Sequence, residues 1–410
     1  MAERTIQTRD DLLVLPEIST PGDRTIEKKR IRRQLILNAI RENGPLSRAD
    51  VTRELGFNSQ TVKTTVTQMV QEGLVIEQDE PSESAIGRPP TPCVLNEQAA
   101  MVMGLALERE MAYCDLVNLG GNEIASHSER MPAFSSPMAR AGWAADFASR
   151  CLPKTWDKVP PLCGVAVGVL QTVEIQNAAE SAIVIPPSGS PEALIMRKVQ
   201  KALNVPVIVD SLAHMRAFNS LWQGAGRNLS SFLFFNVDET LSMSFVNNHR
   251  LMRGFLGHAG ELGGMPIGLP EVVSGRMDEI CSEFGLMRQA QQSGIQVKTP
   301  DELADKAMEG DEKAVKIFND FADSLAYVIE IAIRMLNPQG VIIGGSTARL
   351  AKAFEPRLRT NLEESISPNV LMQTDIEMQA PQSNPGAKHA AITALHHIFS
   401  PVQFDIEDVL

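Results

Sequence analysis

The stretch that most limits what this chain can become is Gly44 to Ile76, GPLSRADVTRELGFNSQTVKTTVTQMVQEGLVI. Its spacing predicts a helix from Ser47 to about Leu55, a tight turn, a second helix from about Gln60 to Glu72, and then a strand. Ser47 is an N-cap residue whose hydroxyl accepts from a free backbone N–H, and Asp50 favours the same helix end. Val51 and Leu55 lie one turn apart and face inward. Gly56 stops the helix, Phe57 plugs the turn, and Asn58 or Ser59 caps the second helix. In that helix Val62, Val66, Met69 and Val70 form the inward stripe. The opposite face is Gln60, Thr61, Lys63, Thr64, Thr65, Thr67 and Gln68: short polar groups and one cation, with no carboxylate before Glu72. Such a face suits a phosphate-lined groove, where Gln and Asn pair with adenine, Thr meets the thymine methyl, and Lys meets phosphate or guanine. Helix, glycine turn, polar second helix is the helix-turn-helix pattern, although the same periodicity also describes a plain helical hairpin.

Charge distribution separates these readings. The chain carries −12, which taken whole speaks against nucleic acid. Between Arg24 and Ile76, however, ten Lys and Arg face five acids, an excess of +5 that leaves −17 for the remainder. A basic module on an acidic body is the asymmetry of a DNA-binding domain fused to something else, and the acidic body discourages non-specific coating of DNA. The candidate DNA contacts in the module are Arg48, Asn58, Ser59, Gln60, Thr61, Lys63 and Thr64.

On either side of this module the signals are simpler. Residues 1–23 contain Pro16 and Pro21 and scattered charge without periodicity, and read as a flexible arm. From Ile26 to Asn43 a helix is expected, with Ile31, Leu35, Ile36, Ala39 and Ile40 inward and Gly44 as its stop. Its KKRIRR cluster is either a solvated face or a set of phosphate contacts. Leu74 to Gln78 alternates as a strand, and Cys93 to Leu95 is a candidate return strand, which makes the motif winged. Arg88, in GRPPT, is placed either to reach the minor groove or to pin the linker, and Pro89, Pro90 and Pro92 stiffen the exit.

From Met101 the pattern is α/β. Strands are expected at Val102–Glu108, Ala112–Val117, Glu123–His127, Leu162–Val169 and Val205–Val209, with helices at Ser136–Cys151 and Pro191–Leu203. The series then repeats, with strands at Ser231–Val237 and Leu241–Asn247, a continuation over Arg250–Leu256, and a strand at Gly340–Gly344. Helices at Thr299–Glu309, Glu312–Met335 and Lys388–Phe399 complete it. At 410 residues there is room for two or three domains, and no apolar run is long enough to span a bilayer. Nor is there a signal-peptide h-region. The five cysteines, Cys93, Cys114, Cys151, Cys163 and Cys281, form no CxxC pair, so reduced thiols in a cytoplasmic protein are expected, with neither zinc nor disulfides.

From about Ile31 to Phe399 the chain resembles the ROK family (repressors, open reading frames, kinases), in its regulator branch. RRQLILNAIRENGPLSRADVTRELGFNSQTVKTTVTQMVQEGLV followed by GRPPTPCVLN is similar to the family's N-terminal winged module and linker. PVIVDSLAHMRAFNSLWQGAGRNLSSFLFFNV, RLMRGFLGHAGELGGMPIG and LNPQGVIIGGS follow the order of its body. The resemblance implies a winged helix-turn-helix followed by a two-lobed actin/hexokinase-like (ribonuclease-H-like) α/β body, with sugar and nucleotide sites in a cleft. The domains expected are the arm 1–23, the DNA-binding module 24–96, a first lobe 97–218 plus 387–400, a second lobe 219–386, and a tail 401–410.

Departures from the family pattern point away from catalysis. Family kinases carry an Asn-Asp pair whose Asp deprotonates the sugar hydroxyl; the matching positions here are Ser211 and Leu212, with Asp210 two residues before Leu212. Leucine accepts no proton. The family's glycine-rich phosphate loop is DETLSMS at Asp238–Ser244, where Asp238 and Glu239 would repel a nucleotide, while Gly344, Gly345 and Ser346 survive. The family's zinc-binding His is Gly264, and GLPEVVSGRM has no cysteine. Glu261 in GHAGELGG matches the family's sugar-binding Glu, with His258 one turn away; Asn177, in the replaced loop VLQTVEIQN, is a further candidate for the ligand. His214 stands where the family has Asn.

The reading is therefore a non-enzymatic, cytoplasmic DNA-binding regulator, a repressor of carbohydrate-related genes, with no catalytic, cofactor or metal residues. Its expected partners are a double-stranded DNA operator, a sugar effector and a second copy of itself, as a homodimer or homotetramer. A ligand-independent or partner-controlled DNA binder with a vestigial cleft, and an ATP-dependent sugar kinase, are the alternatives.

Overall fold

The computed structural model describes residues 24–78, 91–153, 159–175, 184–248, 250–268, 274–379 and 385–399. The expected arm 1–23, Arg88, Asn177 and the tail 401–410 lie outside the described residues.

The N-terminal module runs α1 (Arg24–Asn43), β1 (Leu46–Ser47), α2 (Arg48–Leu55), α3 (Ser59–Gln71), β2 (Val75–Glu77) and β3 (Pro92–Leu95). Ser47 caps α2 in a capping box with Asp50, Gly56 closes it at φ 69°, and Asn58 caps α3 through the Thr61 N–H. The strands form a sheet in the order β1-β3-β2, with Leu46 opposite Cys93 and Val75 opposite Leu95. Two-residue β1 has no period to betray it in the sequence. Ile36, Ile40, Val51, Phe57, Val62, Val66, Met69 and Leu74 are buried, while Leu35, Leu55 and Val70, expected inward, are half-buried.

Helix α1 buries more than one stripe. Leu37, Arg33 and Gln34 are buried along with Ile31, Ile36, Ala39 and Ile40; Arg33 turns toward α3, and on another side a second element packs on α1. That element is the last helix, Pro385–Phe399. Gln34 donates through Nε2 to the Ile398 carbonyl at 3.3 Å, and the Arg41 guanidinium lies over the Phe399 ring at 5.2 Å. The KKRIRR cluster is accordingly not one phosphate-facing surface: Arg33 is turned inward and donates to Glu72.

Two compact units form, one from the chain up to Met215 with the chain from Gly386, the other from Arg216–Pro385. In the first, β4 (Met101–Leu107), β5 (Met111–Asn118), β6 (Glu123–Arg130), β7 (Leu162–Val169) and β8 (Val207–Ser211) make a sheet ordered β6-β5-β4-β7-β8. The first three strands are an antiparallel meander; β7 and β8 add in parallel. One sheet face packs Met103, Leu105, Val165 and Val167 against α4 (Pro137–Cys151) and α5 (Pro191–Leu203). The other face receives the last helix so closely at Gly104 that a side chain there would overlap the backbone of Ala387 and Ala391. Coverage on both faces is why β7 reads as continuously apolar.

After α6 (Leu212–Gln223), the second unit contains β9 (Ser231–Val237), β10 (Leu241–Asn247), β11 (Arg250–Met252), a hairpin of β12 (Pro266–Gly268) and β13 (Ser274–Arg276), then α7 (Met277–Ile280), α8 (Glu283–Gln292), α9 (Pro300–Met308), α10 (Glu312–Leu336), β14 (Gly340–Gly344), α11 (Ala351–Ser365), α12 (Pro368–Leu371) and β15 (Asp375–Met378); α13 is the last helix, Pro385–Phe399. Its sheet is ordered β11-β10-β9-β14-β15, again an antiparallel meander followed by two parallel strands. The two sheets share one topology, the duplication that the repeated α/β series predicts. Strand β11 ends at Met252 rather than reaching Leu256, because the chain turns at Gly254, φ 73°.

Candidate functional site

On α3 the apolar stripe fixes which residues face outward. With Val62, Val66 and Met69 buried, Ser59, Gln60, Lys63, Thr64 and Thr67 are exposed and Thr61 is half-buried. The only carboxylate at this helix, Glu72, sits at its C-cap, so the exposed face holds one cation and hydrogen-bonding groups alone. Asn58 spends its side-chain oxygen on the Thr61 N–H at 2.8 Å, and Gln60 leans on Thr64 at 3.4 Å. Arg48 is engaged by Glu77 of β2, which braces α2 against the sheet. Arg53, absent from the candidates drawn from sequence, projects from the last turn of α2 with its side chain 78% exposed and pairs with Asp50 of its own helix. Its position at the exposed end of α2, beside the turn into α3, is the signal that would have found it. Asp50 is held below the usual carboxylate range by the Ser47 hydroxyl and N–H, so the cap stays ionised.

The two ligand candidates of the second unit, His258 and Glu261, lie on one loop. Met243 of β10 donates to the Gly260 carbonyl at 2.8 Å, and Ser242 bridges Glu261 as an antiparallel pair. The Glu261 N–H points back to the His258 carbonyl at 3.4 Å, which closes a tight turn carrying both candidates. Both residues are exposed. Beneath the loop sits Asp278, at the start of α7. Its Oδ1 accepts from the Leu241 N–H at 2.6 Å, and its own N–H donates to the Gly263 carbonyl at 3.0 Å. A side chain at Gly263 would overlap the Asp278 carboxylate, which would have to shift from the Leu241 N–H to admit it. Burial pushes the Asp278 carboxyl above its ordinary value, against the Leu241 hydrogen bond. Gly264 is exposed, with open space around its Cα.

The positions expected from the resemblance to correspond to catalytic residues have other contacts. Leu212 is buried and fills the space above Gly168 and beside Gly386. Asp210 is buried at the end of β8, accepting from the Ser211 N–H at 2.8 Å and meeting His214 Nδ1 at 2.9 Å. His214 is thus packed and bonded within the first unit. Asp238 is buried too, and rather than facing outward to repel a nucleotide it is bound by Arg216 and by the Ser346 N–H. Nothing in the sequence marks this pairing, since Arg216 lies 22 residues earlier on a helix with no charge pattern to flag it.

Comparison with known proteins matches this geometry. A family model described as "ROK family" covers residues 152–395, and one described as "Winged helix-turn-helix DNA-binding" covers residues 30–76. The chain is a winged helix-turn-helix protein with a duplicated α/β body, and it belongs to the ROK family. It is 22% identical over 350 residues to a xylose repressor of Caldicellulosiruptor bescii, covering 81% of this chain and 87% of the relative. Its fold is similar to the crystal structure of a ROK family transcriptional regulator, a homologue of the Escherichia coli MLC protein, with a TM-score of 0.77 at 18% identity, covering 91% of this chain and 98% of that one. It is also similar to the structure of a putative N-acetylmannosamine kinase from Listeria monocytogenes, with a TM-score of 0.58 at 18% identity over 73% of this chain and 98% of that one.

Proposed function

We propose that this protein is a DNA-binding transcriptional regulator, a sugar-responsive repressor whose ROK body senses rather than phosphorylates. The observation that carries the reading is the exposed face of α3: Ser59, Gln60, Lys63, Thr64 and Thr67 stand clear on a capped, internally anchored helix without an acid among them. Helices so placed enter the major groove. Arg53 and Lys63 supply phosphate contacts, Gln60 and Thr64 read base edges, and Arg88 is a further candidate contact from the sequence. Paired modules of a homodimer would read an inverted repeat with half-sites about 34–36 Å apart, or a multiple of that. The protein acts in the cytoplasm, where its operator is.

Burial of Leu212 at the position of the family base, and of Asp238 in the phosphate loop, supports the non-enzymatic reading. Glu261 and His258, exposed on one tight turn, are the proposed sugar contacts, with Asn177 as a third. A relative named xylose repressor makes xylose the first sugar to try. A sugar acts on DNA binding only through its different affinities for the DNA-competent and DNA-free states.

Selection of duplexes from a random library by the full-length protein tests the function. An enriched inverted repeat, bound less tightly once a sugar is added, is expected. Recovery of no preferred sequence would sink the regulator reading, and turnover of ATP with a hexose or pentose would sink the non-enzymatic one.

A further inference from the structure

Asp238 closes strand β9 inside the second unit, and three donors converge on its carboxylate. Arg216 donates from Nη1 to Oδ2; Asn236 donates from Nδ2 to the same oxygen at 3.3 Å; the Ser346 backbone N–H donates to Oδ1. Arg216 also donates to Asn236 Oδ1, so the amide is oriented with its N–H toward the anion. Arg216, Asn236 and Asp238 are 7%, 5% and 8% exposed. Ser346 follows Gly345, whose φ of 99° folds the turn onto the end of β9, and Thr347 fastens the turn by donating to the Val237 carbonyl at 2.7 Å. The other side of Asp238 is held as well, since the Glu283 N–H donates to its carbonyl at 2.8 Å.

A guanidinium, an amide and a turn N–H aimed at one point are the donor set of an oxyanion site. A buried guanidinium without an anion is strongly disfavoured, so such a site is filled in any stable fold. Here the filling group is part of the chain. We propose that Arg216, Asn236 and the Ser346 N–H form an anion cradle occupied by the protein's own Asp238 carboxylate, which denies that place to a phosphate-bearing ligand. Burial alone would raise the Asp238 carboxyl, yet Arg216 and Ser346 together hold it below the usual range, so the occupant stays charged. The inference deepens the non-enzymatic reading: the loop holds a permanent internal anion where a kinase would hold an exchangeable one.

Removing the occupant tests it. Asp238→Gly leaves the donors and makes room for a small anion. Its thermal midpoint is measured in chloride, then with inorganic phosphate or formate at matched ionic strength, beside wild type and the Arg216→Met/Asp238→Gly double variant. Expected are a lower midpoint for the single variant, recovery of several degrees with either anion, and no comparable gain for wild type or the double variant. The double variant separates cradle binding from the general stabilisation that phosphate gives any protein. Equal anion response in all three proteins would overturn the proposal. If Asp238→Gly does not fold, Asp238→Ser, which keeps an acceptor for Ser346, is read by the same criteria; if neither folds in chloride, growth and refolding in phosphate or formate must restore soluble protein, and failure to do so counts against the cradle. Sugar phosphorylation by the wild type would defeat the non-enzymatic reading, whereas a flat anion response without phosphorylation defeats this inference alone.

Discussion

The guanidinium of Arg33 in α1 donates to the carboxylate of Glu72 at the C-terminal cap of α3, so the first helix of the module holds the end of the helix proposed to face DNA. The pair is asymmetric: the Arg33 side chain is 5% exposed and that of Glu72 29%. Arg33 Nε and Nη1 find no acceptor among the described residues. Glu72→Ala would strand a buried cation and should cost about 2–3 kcal/mol, somewhat less than a fully buried pair. Arg33→Met, which leaves a carboxylate able to reach water, should cost under about 1 kcal/mol. Urea unfolding of the two variants checks the order, and equal losses would contradict it.

Lys63 is the one cation on the exposed face of α3. Lys63→Ala should weaken binding to all operator sequences alike and lower the slope of log affinity against log salt by about 1. Gln60→Ala should instead relax preference at one base pair, by roughly 1–3 kcal/mol. Salt-titrated binding to a selected operator and its single-base variants separates the two effects.

Gly263 has no room for a side chain above Asp278. Gly263→Ala should therefore push the loop carrying His258 and Glu261 off α7, costing about 1–3 kcal/mol. A sugar response lost in this variant while operator binding persists would place the sensor on that loop. Binding isotherms with and without sugar make the measurement.

Asp278 gives a pH dependence of definite sign. Its carboxyl is raised by burial, so in the window between the ordinary carboxylate value and the raised one the folded protein binds more protons than the unfolded chain. Its contribution to stability therefore falls as pH rises through that window and is level above it. Asp278→Asn keeps an oxygen for the Leu241 N–H and should remove this decline, whereas Asp278→Ala leaves that N–H unpaired and should cost about 1–3 kcal/mol at every pH. Asp238, lowered in the folded state, acts oppositely: its stabilisation is complete above the ordinary carboxylate value and lost as pH falls through the lowered one. Thermal midpoints from about pH 3 to about pH 8 resolve both limbs.

All five cysteines are free thiols, and four of them are buried. Burial pushes Cys163 up to about 12 and raises Cys93, Cys114 and Cys281 as well. Little thiolate forms at these four near neutral pH and Cys151 is shielded by burial, so the native protein should label very slowly with a thiol reagent and all five should react after denaturation. Rapid labelling of the folded protein would show that a cysteine lies in a different environment.

The sequence by itself determined the elements whose signal is local. Caps, stops and apolar stripes are set by neighbours a few residues away, so α2, α3, β7, β9 and α10 are legible almost to the residue. The departures expected at Leu212, Gly264 and Asp238–Ser244 rest on residue type alone, because a leucine accepts no proton and a loop without glycine is visible in the sequence. Short or polar elements were not: β1, β12, β13 and β15 span two to four residues and exist through their partners. What only the tertiary structure decided were the jobs of charged residues. Arg33 turned from a candidate phosphate contact into a buried anchor because Glu72 lies 39 residues away in sequence and beside it in space. Asp238 turned from a repelling acid into a seated anion because α6 brings Arg216 to the end of β9 and the turn at Gly345 brings the Ser346 N–H from 108 residues further on. A charge is stable in an interior only with its counter-charge, and which residue supplies it is fixed by the packing of elements distant in sequence.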